Sequence, residues 1–75
     1  MRQPAAFATD VRIDAEQLHV QLSDGREISA PLDWFPKLRN ATPDQRSHWK
    51  LIGKGIGIHW DELDEDLSVA GLLGA

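Results

Sequence analysis

The sequence contains no cysteine, no tyrosine and a single methionine. Without thiols the chain can form neither a disulfide framework nor a thiolate metal site, and a reducing compartment suits it. No apolar run approaches the roughly 20 residues that span a bilayer. Residues 1–8 include one basic residue and an apolar stretch too short for a signal peptide. We therefore expect a cytoplasmic protein that has no membrane partner.

Lysine and arginine are absent from residues 55–75, which carry five acidic residues. Residues 1–54 hold all eight basic residues and seven acidic ones, so the net charge of −4 is concentrated near the C-terminal end. Binding to a phosphate backbone requires clustered lysine and arginine side chains. We therefore expect no direct contact with nucleic acid, whereas a basic protein partner is electrostatically favoured.

The chain is short, and its 75 residues can build one hydrophobic core. We therefore treat residues 1–75 as a single domain. A chain of this size buries only about 60% of the surface that its unfolded form exposes, so its stability margin is small. Dimerisation is a common remedy in small proteins, and a homodimer is one of the forms that we consider.

Alternating apolar residues predict strands in the first 30 residues. Val11 and Ile13 alternate with polar neighbours, and residues 18–22 repeat the pattern. The dipeptide Asp24-Gly25 then favours a tight hairpin turn. We predict a meander of three antiparallel strands at about residues 8–14, 17–22 and 26–30.

Helix-start signals occupy the middle of the sequence. Asp33 is a plausible N-cap for one or two helical turns. Thr42 and Gln45 have the spacing of a capping box, and Pro43 suits the first helical position. We predict a helix from residue 43 to about residue 49.

The glycine-rich segment 53–57 lies between two apolar stretches, residues 49–52 and 57–60. A phosphate-binding loop would need a helix after its glycines, and a strand pattern follows instead. A hairpin is therefore predicted, and Ser68 can cap a last helix at residues 69–73. The expected fold is α+β, with one small antiparallel sheet of about five strands and two or three short helices in the order βββααββα.

Five carboxylates lie within residues 61–66, which we call the acidic segment. A calcium loop starting at Glu62 would need glycine at its sixth position, where Leu67 stands. Consecutive exposed acids are expected to be solvated and unperturbed, unlike a catalytic acid pair. The segment is then either a solubilising lead-in to the last helix or a contact surface for a basic partner. The candidate partner-binding residues are Trp60, Asp61, Glu62, Asp64, Glu65 and Asp66.

The three histidines lack the sequence spacing of metal ligands, and no nucleophile motif surrounds any serine. We therefore predict no metal site, no cofactor and no catalytic residue. We expect His19, His48 and His59 to lie at the surface or at its rim. The three tryptophans, at positions 34, 49 and 60, are expected to anchor the core. An exposed Trp34 or Trp60 beside the acids would instead be an interface anchor.

Several stretches, in this order, resemble one bacterial family. They are residues 11–14 (VRID), 18–25 (LHVQLSDG), 31–36 (PLDWFP), 40–43 (NATP), 57–60 (GIHW) and 63–72 (LDEDLSVAGL). Over about residues 8–73 the chain resembles the domain-of-unknown-function family 2442 (DUF2442). The resemblance implies a small α+β domain of bacteria and mobile elements, often encoded beside toxin–antitoxin-type genes and sometimes fused to a helix-turn-helix domain.

Our first functional hypothesis is a non-catalytic interaction domain whose acidic surface binds and blocks a basic protein. The partner would be a toxin in an antitoxin-like setting. In a phage setting it would be a nucleic-acid-binding defence complex, and the chain would mimic DNA as an anti-CRISPR protein does. An alternative is an enzyme or small-ligand domain, which predicts a pocket where His19 or His59 meets a carboxylate. A third is a regulatory module of a transcription factor, which requires the dispersed basic residues to gather on one face.

Overall fold

The computed structural model describes residues 6–74, so residues 1–5 and 75 of the predicted domain lie outside it. The strands are β1 (Ala8–Ile13), β2 (Gln17–Leu22), β3 (Glu27–Pro31), β4 (Trp49–Ile52), β5 (Gly57–Trp60) and β6 (Glu65–Ser68). The helices are α1 (Pro36–Arg39), α2 (Pro43–Ser47) and α3 (Val69–Leu72). The α+β class is confirmed. The single five-stranded sheet is wrong, because the strands form two three-stranded antiparallel sheets, β1-β2-β3 and β4-β5-β6.

The first sheet is the predicted meander. Val11 pairs with Val20 and Val20 with Ile28, so apolar side chains share the face that the core covers. Gly25 has a φ of 93°, which confirms the tight turn at Asp24-Gly25. The opposite face of this sheet carries polar side chains, among them His19 between Arg12 and Ser29.

The hairpin between β4 and β5 is also confirmed. Its turn contains Gly55 with a φ of 106°, and the Gly55 carbonyl accepts a hydrogen bond of 2.7 Å from the Ala8 amide. A Cβ atom on Gly55 would lie 2.4 Å from the Ala8 carbonyl oxygen. Glycine is therefore required here both by the backbone angle and by the close approach of β1.

Strand β6 was not predicted, because the acidic segment was expected only as a lead-in to the last helix or as a contact surface. Only residues 61–64 turn, through a short 3-10 helix (Asp61–Leu63) and then Asp64 in the left-handed conformation at φ 50° and ψ 46°. Aspartate tolerates this conformation better than most residues with a side chain. The chain then returns, and Glu65 pairs with Trp60. Since Leu67 is the one apolar residue of β6, no hydrophobic alternation could have indicated the strand.

The helices follow the capping signals closely. The Thr42 hydroxyl accepts a hydrogen bond from the Gln45 amide at 3.1 Å, and the Gln45 side chain accepts one from the Thr42 amide at 3.0 Å. This capping box is confirmed, although α2 ends at Ser47 instead of residue 49. The Ser68 cap of α3 is also confirmed, through its hydrogen bond from the Gly71 amide. Within residues 6–74 no helix has the length and apolar character needed to cross a membrane.

The predicted N-cap at Asp33 is wrong. A 3-10 turn (Leu32–Trp34) occupies this position, and α1 begins later, at Pro36, without a side-chain cap. Proline suits the first helical position, because its fixed φ matches the helix and it has no N–H to leave unpaired there. The Asp33 carboxylate instead pairs with the Arg39 guanidinium at 2.7 Å.

One hydrophobic cluster joins the two sheets. Its fully buried side chains come from both sheets, the 3-10 turn and α1: Leu18, Val20, Leu32, Leu38, Ile58 and Trp60. The Trp60 indole nitrogen donates a hydrogen bond of 3.0 Å to the Arg46 carbonyl, so its polar atom is satisfied inside the protein. The shared core therefore fixes the position of the second sheet relative to the 3-10 turn.

Candidate functional site

The acidic segment spans three kinds of local structure. Asp61 and Glu62 lie in the 3-10 turn, Asp64 follows it, and Glu65 and Asp66 belong to β6. The segment is anchored to α1, because the Lys37 ammonium donates a hydrogen bond of 2.9 Å to the Asp64 carbonyl. Four of the five side chains are exposed, and that of Glu65 is half-buried.

A polar ladder crosses the outer face of the second sheet, where Lys50, His59 and Asp66 are register partners. Asp61 joins this ladder from the turn. Its two carboxylate oxygens contact Lys50 Nζ at 2.7 Å and His59 Nε2 at 2.6 Å. His59 Nδ1 contacts the Asp66 carboxylate on the other side. The ladder therefore holds the His59 ring between two carboxylates.

These contacts shift the ionisation of the ladder. The hydrogen bond that His59 donates to the Asp66 carboxylate, followed by the contact with Asp61, raises the pKa of His59 above its ordinary value. The Lys50 ammonium, followed by His59, lowers the pKa of Asp61. The expectation of unperturbed acids is therefore wrong for Asp61, because Lys50 stabilises its charged form.

A second histidine holds Glu62. His48 Nδ1 lies 2.7 Å from the Glu62 carboxylate, and Asp44 lies 3.8 Å from the other ring nitrogen. The hydrogen bond that His48 donates to the Glu62 carboxylate, followed by the charge of Asp44, raises the pKa of His48. Asp61, Glu62 and Asp66 thus pair with basic groups of the same chain. Within residues 6–74 the side chains of Asp64 and Glu65 form no such pair.

His19 is buried, which makes the expectation of a surface position wrong for this histidine. The residue is only 9% exposed, and Nε2 donates to the Asp14 carboxylate at 2.8 Å. In that tautomer the Ser29 hydroxyl donates to Nδ1 at 2.7 Å. The His19 contact, supported by the backbone amides of Glu16 and Gln17, lowers the pKa of Asp14 to about 2. Asp14 and Ser29 satisfy both ring nitrogens, which explains how His19 can be buried on the outer face of a sheet.

The alternative hypothesis of an enzyme required a histidine and a carboxylate within a pocket. Both histidine–carboxylate contacts exist, yet neither His19 nor His59 lines any of three grooves formed by residues 6–74. Within the same residues no cluster of three or more histidine, aspartate or glutamate side chains has the geometry to hold a metal ion. The catalytic hypothesis is therefore left with two histidine–carboxylate pairs whose imidazole rings do not line these grooves.

The three tryptophans have three different environments. Trp60 is completely buried, so naming it as a contact residue was wrong. Trp49 is half-buried and packs against the core, as expected. Trp34 was expected in the core, but 70% of it is exposed. The reason is the 3-10 turn, in which residues three apart share a face. Leu32 and Phe35 take the face that points to the core, and Trp34 is left outside.

Trp34 lies beside the acidic segment in an apolar groove of about 480 Å³, which we call the Trp34 groove. Its apolar lining comes from the 3-10 turn, β6 and α3: Trp34, Phe35, Leu67, Leu72 and Leu73. Asp66 and Ser68 contribute polar atoms to its β6 wall. The segment Pro31–Pro36 could have indicated this site, since a buried Leu32 in a 3-10 turn directs the tryptophan outward.

Four basic side chains, from four different segments of the chain, are each held by an acidic neighbour. The pairs are Arg12 with Glu27, Arg26 with Asp24, Arg39 with Asp33, and Lys50 with Asp61. Arg46 donates instead to the carbonyls of Leu38 and Arg39. This dispersion gives no support to a transcription-factor module that needs a basic face, and the absence of direct nucleic-acid binding stays a prediction.

The fold recurs in two solved structures. A crystal structure of a protein of unknown function from Rhodospirillum rubrum ATCC 11170 is 32% identical, with a TM-score of 0.79 over 95% of this chain and 88% of that chain. A solution NMR structure of an uncharacterised protein from Chromobacterium violaceum is 26% identical, with a TM-score of 0.75 over 91% of this chain. The present chain covers 64% of the C. violaceum chain, which extends beyond the shared fold.

A comparison with curated proteins found no match. The sequence profile of a family described as protein of unknown function (DUF2442) matches residues 8–75. The chain therefore belongs to the DUF2442 family.

Proposed function

We propose that this protein is a non-catalytic interaction domain that binds a basic protein partner through the Trp34 groove and the adjoining acids. One observation carries the proposal: Trp34 is 70% exposed, lies in an apolar groove and borders the acidic segment. Tryptophan is enriched among the residues that dominate binding energies, and its truncation at such sites typically costs 2 kcal/mol or more. An indole that the fold leaves exposed to solvent is therefore a strong candidate for an interface anchor.

The acids divide into two groups with different roles in this proposal. Asp61, Glu62 and Asp66 are neutralised in part by Lys50, His48 and His59. Asp64 and Glu65 form no ion pair among the described residues and carry the attraction for a basic partner. The contact surface is thus smaller than the six residues expected from the sequence, with Trp34 added and Trp60 removed.

The proposed partner is a nucleic-acid-binding protein in the cytoplasm. A toxin would make this chain antitoxin-like, and a defence complex would make it a DNA mimic of the anti-CRISPR kind. Both settings use the same chemistry, in which carboxylates occupy a groove that is rich in lysine and arginine. Attraction of this kind accelerates association and weakens as salt is added.

The test is affinity capture from the native host with the full chain, followed by mass spectrometry. Trp34→Ala and the double variant Asp64→Lys/Glu65→Lys should each lose the partner. Leu51→Ala, at another exposed apolar residue, and Asp10→Lys/Glu16→Lys, with the same change in net charge, should retain it. A partner that both test variants capture as well as the unmodified chain would contradict the proposal.

A second candidate function has one observation in its favour, the hydrogen-bonded series Ser29, His19 and Asp14. The same residue types in this order serve acyl transfer in hydrolases. Ser29 nevertheless lies within a strand and lines none of the three grooves described above. Incubation with a fluorophosphonate reagent separates the two functions. We expect no adduct on Ser29, whereas an adduct that Ser29→Ala abolishes would favour the enzyme.

A further inference from the structure

We infer that the partner contributes an extended segment that adds to the free edge of β6, with apolar and basic side chains in alternation. This inference rests on the proposed function and specifies the chemistry of its partner. Three features of the Trp34 groove support it, namely the unpaired strand edge, the position of the groove along that edge and the distribution of charge.

Among the described strands, β6 lies at an edge of its sheet and pairs with β5 alone. Among the described residues no backbone hydrogen bond joins Glu65–Ser68 to another element on the outer side. An edge strand presents a row of N–H and C=O groups that can pair with an added chain. The backbone of β6 is therefore available as a template.

The Trp34 groove runs beside this edge. Asp66, Leu67 and Ser68 form its β6 wall, while Trp34 and Leu72 belong to the elements that face it. A strand added to β6 would direct alternate side chains to opposite faces of the enlarged sheet. One set would enter the groove against Trp34 and Leu67, and the other would lie over the outer face near Asp66. Main-chain hydrogen bonds would supply affinity and the groove would supply selectivity.

The acidic charge beside β6 determines which kind of extended segment can bind at this edge. Residues 55–75 contain five acids and no lysine or arginine. A second copy of this chain pairing edge to edge would bring two acidic segments together, and like charges across strands are destabilising. Lysine or arginine in the outer-face positions would instead meet Asp66, which lies on that face of β6. A basic, extended partner segment therefore fits this edge better than a second copy.

The experiment uses the ¹⁵N-labelled full chain and an end-blocked heptapeptide that alternates lysine and valine. We expect saturable shifts in the amides of Glu65–Ser68 and in the Trp34 indole, with affinity that falls as salt is added. Trp34→Ala should weaken binding by at least about tenfold, the size of effect seen when an interface anchor is truncated. A peptide that alternates glutamate and valine serves as the charge control.

Methylated peptide nitrogens test the strand itself. Two versions are made, with N-methyl groups on one or the other set of alternate amides. In strand addition only one set faces β6, so only that version should lose about tenfold in affinity or more, because its donors are blocked. Equal binding of both versions, or no shift in residues 65–68, would overturn the inference while leaving capture of the native partner through Trp34 intact.

Sedimentation of the unmodified chain at the NMR concentration tests the competing occupant. We expect a monomer, in keeping with the repulsion between acidic segments. A dimer that Trp34→Ala dissociates would identify a second copy as the occupant of the groove and overturn the inference. The proposed function fails on different evidence, namely native capture that depends on neither Trp34 nor the charges at 64 and 65.

Discussion

Trp34 and Trp60 show how differently one type of residue is used within a short chain. Trp60 fills the centre of the core and hydrogen-bonds to the Arg46 carbonyl, whereas Trp34 stands in water at the mouth of a groove. Composition predicted that tryptophans would anchor the fold, and it could not assign the two roles. The distinction depends on the 3-10 turn, which places Leu32 inside and Trp34 outside.

Trp60→Ala should therefore lower the free energy of unfolding by about 3–5 kcal/mol, the usual range for truncating a buried aromatic residue. Trp34→Ala should change it by no more than about 0.5 kcal/mol, as is usual for surface sites. Urea denaturation monitored by circular dichroism gives both values. Equal destabilisation by the two variants would show that Trp34 supports the fold and would remove the main observation behind the interaction site.

His59 predicts how stability depends on pH. Its pKa is raised in the folded state by Asp66 and Asp61, so its protonated form stabilises the fold. This contribution is fully present below the ordinary pKa of 6.5 and is lost as the pH rises through the higher folded-state pKa. The free energy of unfolding should fall between about pH 6 and pH 8, the range in which histidine titrates.

The measurement is a series of urea denaturations across this pH range, with an NMR titration of the His59 ring. His59→Gln should flatten the slope in part. His48→Gln should flatten the remainder, because the pKa of His48 is also raised. A His59 ring that titrates below 6.5, or a slope that neither substitution changes, would contradict the ladder.

At the scale of elements, three features that depend on near neighbours were predicted correctly from the sequence. The capping box of Thr42 and Gln45, the Ser68 cap and the Asp24-Gly25 turn each require only a few consecutive residues, and all three are present. Strand β6 needs a partner strand instead, since Glu65–Ser68 carries one apolar residue and gains its conformation from pairing with β5. The division into two sheets was missed for the same reason, because hydrophobic alternation does not say which strands share an edge.

The β4–β5 turn joins the two sheets through Gly55, and this contact makes a sharp prediction. Gly55→Ala would place a Cβ 2.4 Å from the Ala8 carbonyl and also strain a φ of 106°. Gly25→Ala is the matched control, since it has a φ of 93° with no atom within 4 Å. Strain alone is worth about 1–3 kcal/mol, so Gly25→Ala should lose that much stability and Gly55→Ala distinctly more. Thermal unfolding compares them, and equal losses would mean that β1 can move away from the turn.

For the whole molecule, the shared core predicts one cooperative transition. Leu18 and Val20 from the first sheet belong to the same buried cluster as Ile58 and Trp60 from the second. Neither sheet can keep its apolar face covered if the other unfolds. Tryptophan fluorescence, which reports mainly on the second half, and far-ultraviolet circular dichroism should therefore give coincident transitions. Two separate midpoints would show that the sheets are independent and would contradict the single domain expected from the length.

Charge is distributed unevenly over the same molecule, and this asymmetry could be predicted from the sequence. The ion pairs within the acidic surface could not be predicted. His48 and Lys50 are distant in sequence from their partners Glu62 and Asp61, and no spacing motif links His59 to Asp66. The β4–β5 hairpin and α2 bring these side chains together. The sequence therefore indicated an acidic surface of five carboxylates, and folding leaves Asp64 and Glu65 as its unpaired part among the described residues.

The order of the strands has a consequence for how the chain acquires its shape. Every strand pairs with the strand before or after it in sequence, and the connections within each sheet are at most four residues long. Closing such short loops carries a small entropy penalty, and mixed domains with local pairing refold within about milliseconds to a second. Within each sheet, strand pairing can therefore follow the order of the chain, and only the shared core requires the two halves of the protein to meet.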